Sequence, residues 1–225
     1  MIWNVPKIWQ GGDVWILGGG HSIVQQFQIP SDVVQNVLSG MQPVSTYSPF
    51  LHPIHDKHVI GVNASFLIGT WIDMVFFGDN HFLIKYEKDL KAFPNVKVSC
   101  SRRADRQIWL KYVPMNPEKK LGITTKPNVI SWNENSGSAA VNVAVHTGAK
   151  RIFLLGFDMK LSENKEQHWH KLYSGAKPPF ARHMLGFPEM AKDAKKLGIE
   201  IFNVSPDSAI TVFPKLTLQE ALQWK

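Results

Sequence analysis

The sequence predicts an α/β protein with a Rossmann-like, mostly parallel sheet flanked by helices and a histidine-containing lid loop. Three observations predict it. Short apolar runs recur along the chain, helical periodicities fall between them, and glycine or polar residues collect where the runs end. The first run, residues 13–17 (Asp-Val-Trp-Ile-Leu), ends in Gly18-Gly19-Gly20. The second, residues 58–62, ends at Asn63, and the third, residues 73–77, ends in Gly78-Asp79. The fourth, residues 150–155, ends in Gly156-Phe157-Asp158. Residues 95–99 and 199–204 are weaker strand candidates.

Between them, residues 82–93 read as an amphipathic helix stopped by Pro94, because the residue before a proline is pushed out of helical geometry. Residues 136–147 are small and apolar, with Gly148 as the expected C-cap. Residues 187–197 place Met190, Ala194 and Leu197 on one stripe with lysines opposite and Gly198 as the stop. Residues 217–224 read as a last short helix, with Thr217 as N-cap and Glu220 at the capping-box position. The alternation implies parallel strands joined by right-handed crossovers. Residues 40–57, 102–132 and 162–186 are irregular and rich in proline, glycine and histidine, as surface loops or lids are. No repeat or low-complexity tract divides the chain, and residues 1–225 are expected to form one domain.

The composition, 44% hydrophobic and 19% charged over 225 residues, is that of a soluble globular protein. No apolar run reaches the roughly 18 residues of a membrane span. The start, MIWNVPKIWQGGD, lacks the features of a secretion signal. Cys100 is the single cysteine and follows a strand pattern, so a buried thiol in a reducing compartment, the cytoplasm, is expected. The net charge of +7 suits an acidic partner such as a phosphate, nucleotide or nucleic acid. The basic residues form short clusters: Arg102-Arg103, Lys119-Lys120, Lys150-Arg151, and Lys192 with Lys195 and Lys196. The last reads as the wet face of its helix.

Candidate chemistry sits at the strand ends. Gly18, Gly19, Gly20 and Ser22 form either a tight turn or a loop whose amides approach a phosphate at a helix start. The segment lacks the Gly-Lys-Ser/Thr of a Walker loop and the full Gly-x-Gly-x-x-Gly spacing. Asn63 offers an amide to a base or sugar hydroxyl. Asp79 would hold Mg²⁺ or a hydroxyl, or cap the following helix. Asn135, Ser136 and Gly137 open the small-residue helix, with Asn135 or Ser136 as N-cap and the first amides suited to phosphate. His168 and His170, with His183 downstream, suit a general base or a phosphate partner, and no third ligand stands at zinc-site spacing.

In this order the pieces resemble the family 42 sialyltransferases and the related archaeal-type 6-hydroxymethylpterin diphosphokinases. The most specific block runs from Asn135-Ser136-Gly137 through the small helix to Gly156-Phe157-Asp158. Gly18-Gly-Gly-His-Ser-Ile23 is similar to the family's Gly-x-Gly-Pro-Ser-Leu loop, with His21 in place of proline. Asn63 resembles the asparagine that contacts the cytidine nucleotide. The family's catalytic histidine lies in a lid, which implies His168 or His170. Where the family has a pair of tyrosines before the Ser-Gly block, this chain has Tyr112, with Trp132 nearer. The Asn-Ser-Gly and Phe-Pro-Lys-x-x-Leu-x-Glu-x-Leu features also resemble bacteriophage proteins, implying a phage origin.

The resemblance implies a transferase with a nucleotide-activated small-molecule donor, most simply a glycosyltransferase acting on a hydroxyl acceptor and requiring no cofactor. Two alternatives stand beside it. One is an Mg²⁺-dependent pyrophosphokinase acting on a pterin-like molecule with ATP, its metal at Asp79, with Asp158. The other is a basic nucleic-acid-binding or phage accessory protein without catalysis. A nucleic-acid acceptor would join the first and last.

Overall fold

The computed structural model describes residues 1–172 and 178–224. Seven strands build one sheet: β1 (Asp13–Leu17), β2 (His58–Val62), β3 (Met74–Phe77), β4 (Val96–Ser99), β5 (Lys111–Tyr112), β6 (Arg151–Leu155) and β7 (Glu200–Asn203). Their order is β5-β4-β3-β2-β1-β6-β7, and every pairing is parallel. The chain therefore builds outward from β1 in one direction as far as β5, then returns to place β6 and β7 on the other side. The crossover direction reverses between β1 and β6. In open α/β sheets that reversal parts the loops beyond the strands and leaves a crevice.

Both faces of the sheet are covered, which explains why the strands read as continuous apolar runs. Alternate residues point into two separate cores. Trp15, Leu17, Val59, Val75, Phe77, Phe153 and Leu155 enter one, and Val14, Ile16, Ile60, Met74, Phe76, Ile152 and Leu154 enter the other. Parallel register puts Trp15, Phe153 and Phe202 side by side on β1, β6 and β7. Their rings stack at 4.6 and 5.4 Å, a ladder that fixes the alignment of the three strands around the switch point.

The helices are α1 (Ser22–Gln26), α2 (Ser31–Leu38), α3 (Asn80–Lys85), α4 (Glu87–Ala92), α5 (Ser136–His146), α6 (Phe180–His183), α7 (Phe187–Leu197) and α8 (Leu218–Gln223). Local chemistry ends several of them as expected. After α5, Gly148 adopts φ 94°, its N–H bonds Val145 O at 3.0 Å, and the Ala149 N–H bonds Ala144 O at 3.1 Å. Gly198 ends α7 in the same manner at φ 65°. The Thr217–Glu220 capping box is formed at the start of α8.

Three expectations are corrected. The helix expected over residues 82–93 begins at Asn80 and breaks at Tyr86 (φ −109°, ψ 18°) into α3 and α4. The break brings Phe82, Tyr86 and Phe93 all onto the Phe66 ring. Leu197 leaves the apolar stripe and is exposed, while Met190 and Ala194 are buried. Residues 44–54, expected to be an irregular loop, form a 3₁₀ segment that tolerates Pro49 and Pro53. The lid expected over residues 162–186 holds α6, and its residues 173–177 lie outside the described part. Cys100 is buried as expected, and burial pushes its thiol pKa up to about 12. Among the described residues no helix is long and apolar enough to cross a membrane.

Candidate functional site

The loops after β1 and β6 close on each other at the switch point. The N–H of Gly18 bonds Leu155 O at 2.8 Å, and that of Gly20 bonds Gly156 O at 2.9 Å. Asp158 accepts from the Ser22 N–H at 2.8 Å and from the Ser22 hydroxyl. That hydroxyl also lies 2.8 Å from the hydroxyl of Ser205. The glycines permit this closeness. A Cβ on Gly20 would lie 2.6 Å from Asp158 Cγ and 2.6 Å from Gly156 O. The amides of Gly18, Gly20 and Ser22 are thus engaged within the protein, and the loop is a tightly tied turn whose carbonyls face the lid.

Those carbonyls hold the lid down. Trp169 is fully buried, donating from Nε1 to Gly18 O at 3.0 Å and from its backbone N–H to Gly19 O at 3.2 Å. Tyr47 braces it from behind, donating its hydroxyl to Trp169 O at 3.2 Å. Ser65 donates to Gly18 O at 3.2 Å. Pinning Trp169 places the residues on either side of it. His168 Nδ1 lies 3.1 Å from Gly19 O. A carbonyl only accepts, so in the neutral ring Nδ1 carries the proton and Nε2 the lone pair. Burial holds the His168 pKa below its ordinary value, partly offset by the Gly19 bond and the Asp158 charge. The ring is therefore neutral at pH 7.

His170 has a different setting. It stacks on His168 at 5.1 Å, meets the Trp169 edge at 4.4 Å, and accepts the Leu172 N–H at its Nδ1 at 3.2 Å. It is 4% exposed, and burial with the nearby His168 depresses its pKa to about 3. Of the two lid histidines, His168 lies at the switch point and His170 is buried behind it.

The start of α5 completes the site. Asn135 caps it, accepting from Ser138 N–H at 2.7 Å and donating to Ser138 Oγ at 2.7 Å and to His183 O at 2.9 Å. Ser136 and Gly137 are the first two helical residues, and Gly137 lies against the Phe157 ring just beyond β6. The positive end of an 11-residue helix therefore meets the switch point. The two residues before the cap, Asn133 and Glu134, both hold positive φ (56° and 60°). Asn133 supports this strained turn with hydrogen bonds to Gly122 N–H and O and to Ser131 O.

Asn63 also has positive φ (51°) and lies two residues past the Leu17↔Gly61 register pair, level with Gly19. Its side-chain oxygen is buried without a hydrogen-bond partner among the described residues, as is His21 Nδ1. His21, Ser22, Asp158, Lys160 and Asp207 line a polar cavity of about 220 Å³ on the α1 side of the glycine loop.

The structure therefore gathers Gly18, Gly19, Gly20, Ser22, Asn135, Ser136, Gly137, Asp158 and His168, with Asn63 at their edge. Asp79 stands apart. It follows β3, exposed, at the N-cap of α3 without a side-chain capping bond. Three strand spacings, about 14 Å, separate the ends of β3 and β6. Among the described residues no group of three or more His, Cys, Asp or Glu side chains is placed to hold a metal ion.

Sequence reasoning missed the structural weight of Trp169. Its signal was available: a large aromatic between two histidines, in a stretch 160–171 whose one other apolar residue is Leu161, must find its core elsewhere.

No family model matches the chain, and no curated protein matches it. Among solved structures, the chain is similar to the sialyltransferase CstII from Campylobacter jejuni, determined with cytidine-5′-monophosphate. The TM-score is 0.53 at 13% identity, over 91% of this chain and 84% of that one. It is also similar to the MAf glycosyltransferase from Magnetospirillum magneticum AMB-1, with a TM-score of 0.60 at 12% identity over 97% of this chain. The chain spans 35% of that protein's length. At such identities the likeness is one of fold.

Proposed function

We propose that the chain is a glycosyltransferase moving a sugar from a nucleotide-activated donor to a hydroxyl acceptor. The observation that carries the reading is His168: a neutral imidazole whose Nδ1 is fixed by Gly19 O at 3.1 Å in the loop at the sheet's switch point. The fold likeness to two glycosyltransferases, one of them determined with a cytidine nucleotide, points the same way.

In this reading the donor phosphate lies at the first amides of α5, where the helix dipole offsets its charge. The glycine loop, its Gly18 and Gly20 amides already bonded, shapes the crevice wall and positions the lid. Asn63, with its buried unpartnered oxygen, receives a donor group of the base or ribose. The acceptor oxygen forms a bond to the anomeric carbon of the sugar. The bond from that carbon to the phosphate oxygen breaks, and its electron pair leaves with the nucleotide. Nε2 of His168 takes the hydroxyl proton as the bond forms. His170 supports the ring of His168 from behind.

The test is a thermal-shift series with CMP, CDP, UDP, GDP, ATP and their sugar conjugates, with and without Mg²⁺. A metal-independent shift with a cytidine or uridine nucleotide is expected. A shift confined to ATP with Mg²⁺ would replace the reading with pyrophosphoryl transfer, and no shift would sink both. With the donor identified, His168→Ala should lower kcat by about 10²- to 10⁴-fold while the donor-induced shift persists. Full turnover by that variant would remove His168 from the chemistry.

A further inference from the structure

The turn after β4 carries three arginines that the transferase reading leaves unused. Arg102, Arg103 and Arg106 line a groove of about 440 Å³ together with Asn80 and Gln107. All three are exposed, and among the described residues none forms an ion pair with a carboxylate. The acid in the same turn, Asp105, lies 3.0 Å from the Met1 amine.

The platform beneath them is held in place. Ala104 is fully buried. Asn80 Oδ1 accepts from the Ser101 hydroxyl and, at 3.3 Å, from the Arg103 N–H. The Ala104 N–H bonds Ser101 O at 2.9 Å and the Gln107 N–H bonds Ala104 O at 3.0 Å. Three guanidinium groups on a braced turn, none of them ion-paired among the described residues although Glu87 feels the Arg103 charge from further off, match the chemistry of phosphate recognition.

The groove lies on the same edge of the sheet as the switch point. The ends of β1 and β4 are three strand spacings apart, about 14 Å, so a molecule that reaches both His168 and the groove lies along the rim of the sheet. We propose that this groove binds a phosphate group of the acceptor, so that the acceptor is a phosphate-bearing molecule laid along the sheet edge with its hydroxyl at His168. The acceptor role rests on the transferase reading, whereas anion binding by the groove does not.

The test compares the wild-type chain with the triple variant Arg102→Ala, Arg103→Ala, Arg106→Ala. Inorganic pyrophosphate is titrated by calorimetry, and the nucleotide-induced thermal shift is followed in parallel. Pyrophosphate affinity is expected to fall by about tenfold or more, because several charge-assisted hydrogen bonds are removed. The nucleotide shift should be unchanged, which also shows that the variant is folded. Unchanged pyrophosphate binding would overturn the proposal. Loss of both would assign the arginines to the donor phosphate and overturn the acceptor role. Arginine-dependent pyrophosphate binding in a chain that binds no nucleotide would keep the anion site and sink the transferase reading. A second arm identifies the phosphate's source. Binding of a mixed-sequence single-stranded oligonucleotide with a steep, arginine-dependent salt slope assigns a nucleic-acid acceptor. Binding of glucose 6-phosphate but not the oligonucleotide assigns a phosphorylated small molecule.

Discussion

The two halves of the sheet's C-terminal rim are built on opposite plans. Around β1 and β6, backbone and side chain are tied to each other: Gly18 to Leu155, Gly20 to Gly156, Ser22 to Asp158, and Trp169 to Gly18. Around β3 and β4, Asp79, Arg102, Arg103 and Arg106 stand in solvent. The first half resembles a set of clamps and the second a charged landing surface. The difference suits the roles proposed above for each. A proton acceptor needs fixed geometry, since small misplacements of reacting groups are costly in rate. A recruiting surface needs uncompensated charge, which a closed hydrogen-bond network would consume.

The contrast can be broken most forcefully at Trp169. Trp169→Ala removes a fully buried indole, its hydrogen bond to the glycine loop at Gly18 O and its ring contact with Tyr47. A loss of about 3–5 kcal/mol in urea unfolding is expected, together with loss of turnover as His168 is released. Trp169→Phe keeps most of the packing, so its cost isolates the Nε1 hydrogen bond at about 1 kcal/mol. Equal costs for the two variants would show that the lid is held by that hydrogen bond and not by packing.

Gly20→Ala should follow, at about 1–3 kcal/mol, because its Cβ has no room beside Asp158 and Gly156 O. Pyrophosphate binding at the arginine groove should survive in a folded Gly20→Ala chain. Its loss would show that the two halves are coupled.

The smallest effect is in pH. His170 has a folded pKa of about 3 against an ordinary value of 6.5, so the unfolded chain binds a proton that the folded one refuses. Stability is therefore complete above pH 6.5 and declines as the pH falls below it, by at most about 1.4 kcal/mol per pH unit from this group. The buried His146 and the half-buried His168 and His183, all depressed, add in the same direction. His170→Asn should flatten the slope between pH 6.5 and 5 without abolishing it, as read from the melting temperature at each pH. An unchanged slope would place the proton elsewhere.

Much of the fold was legible because its signals are local. Strands β1 and β2 occupy the residues expected, since a run covered on both faces needs apolar side chains throughout and ends where they end. Gly148, Gly198 and the Thr217–Glu220 box stop and start their helices within one turn of themselves. The break at Tyr86 was not legible, because its cause is Phe66, an aromatic distant in sequence. Nor was the exposure of Leu197, which depends on where the sheet surface ends beneath α7.

The candidate site divides in the same manner. Asn135 was readable as a cap because the hydrogen bond it makes spans three residues. The glycine run announced a close approach, but its sequence could not say to what. A Cβ-free surface admits a phosphate and a neighbouring loop equally, and only the pairing of β1 with β6 shows that the loop after β6 comes this close at Gly18 and Gly20. His168 and His170 share composition and neighbourhood, and they are separated only by which ring the buried Trp169 turns towards Gly19. The sequence by itself determined the elements, their caps and the side chains gathered at the strand ends, because those follow from short-range geometry and apolar patterning. The tertiary structure decided the strand order, the switch point, which amides are engaged and which histidine bonds the glycine loop. These depend on contacts between residues more than a hundred positions apart, such as Ser22 with Asp158 and Gly19 with His168.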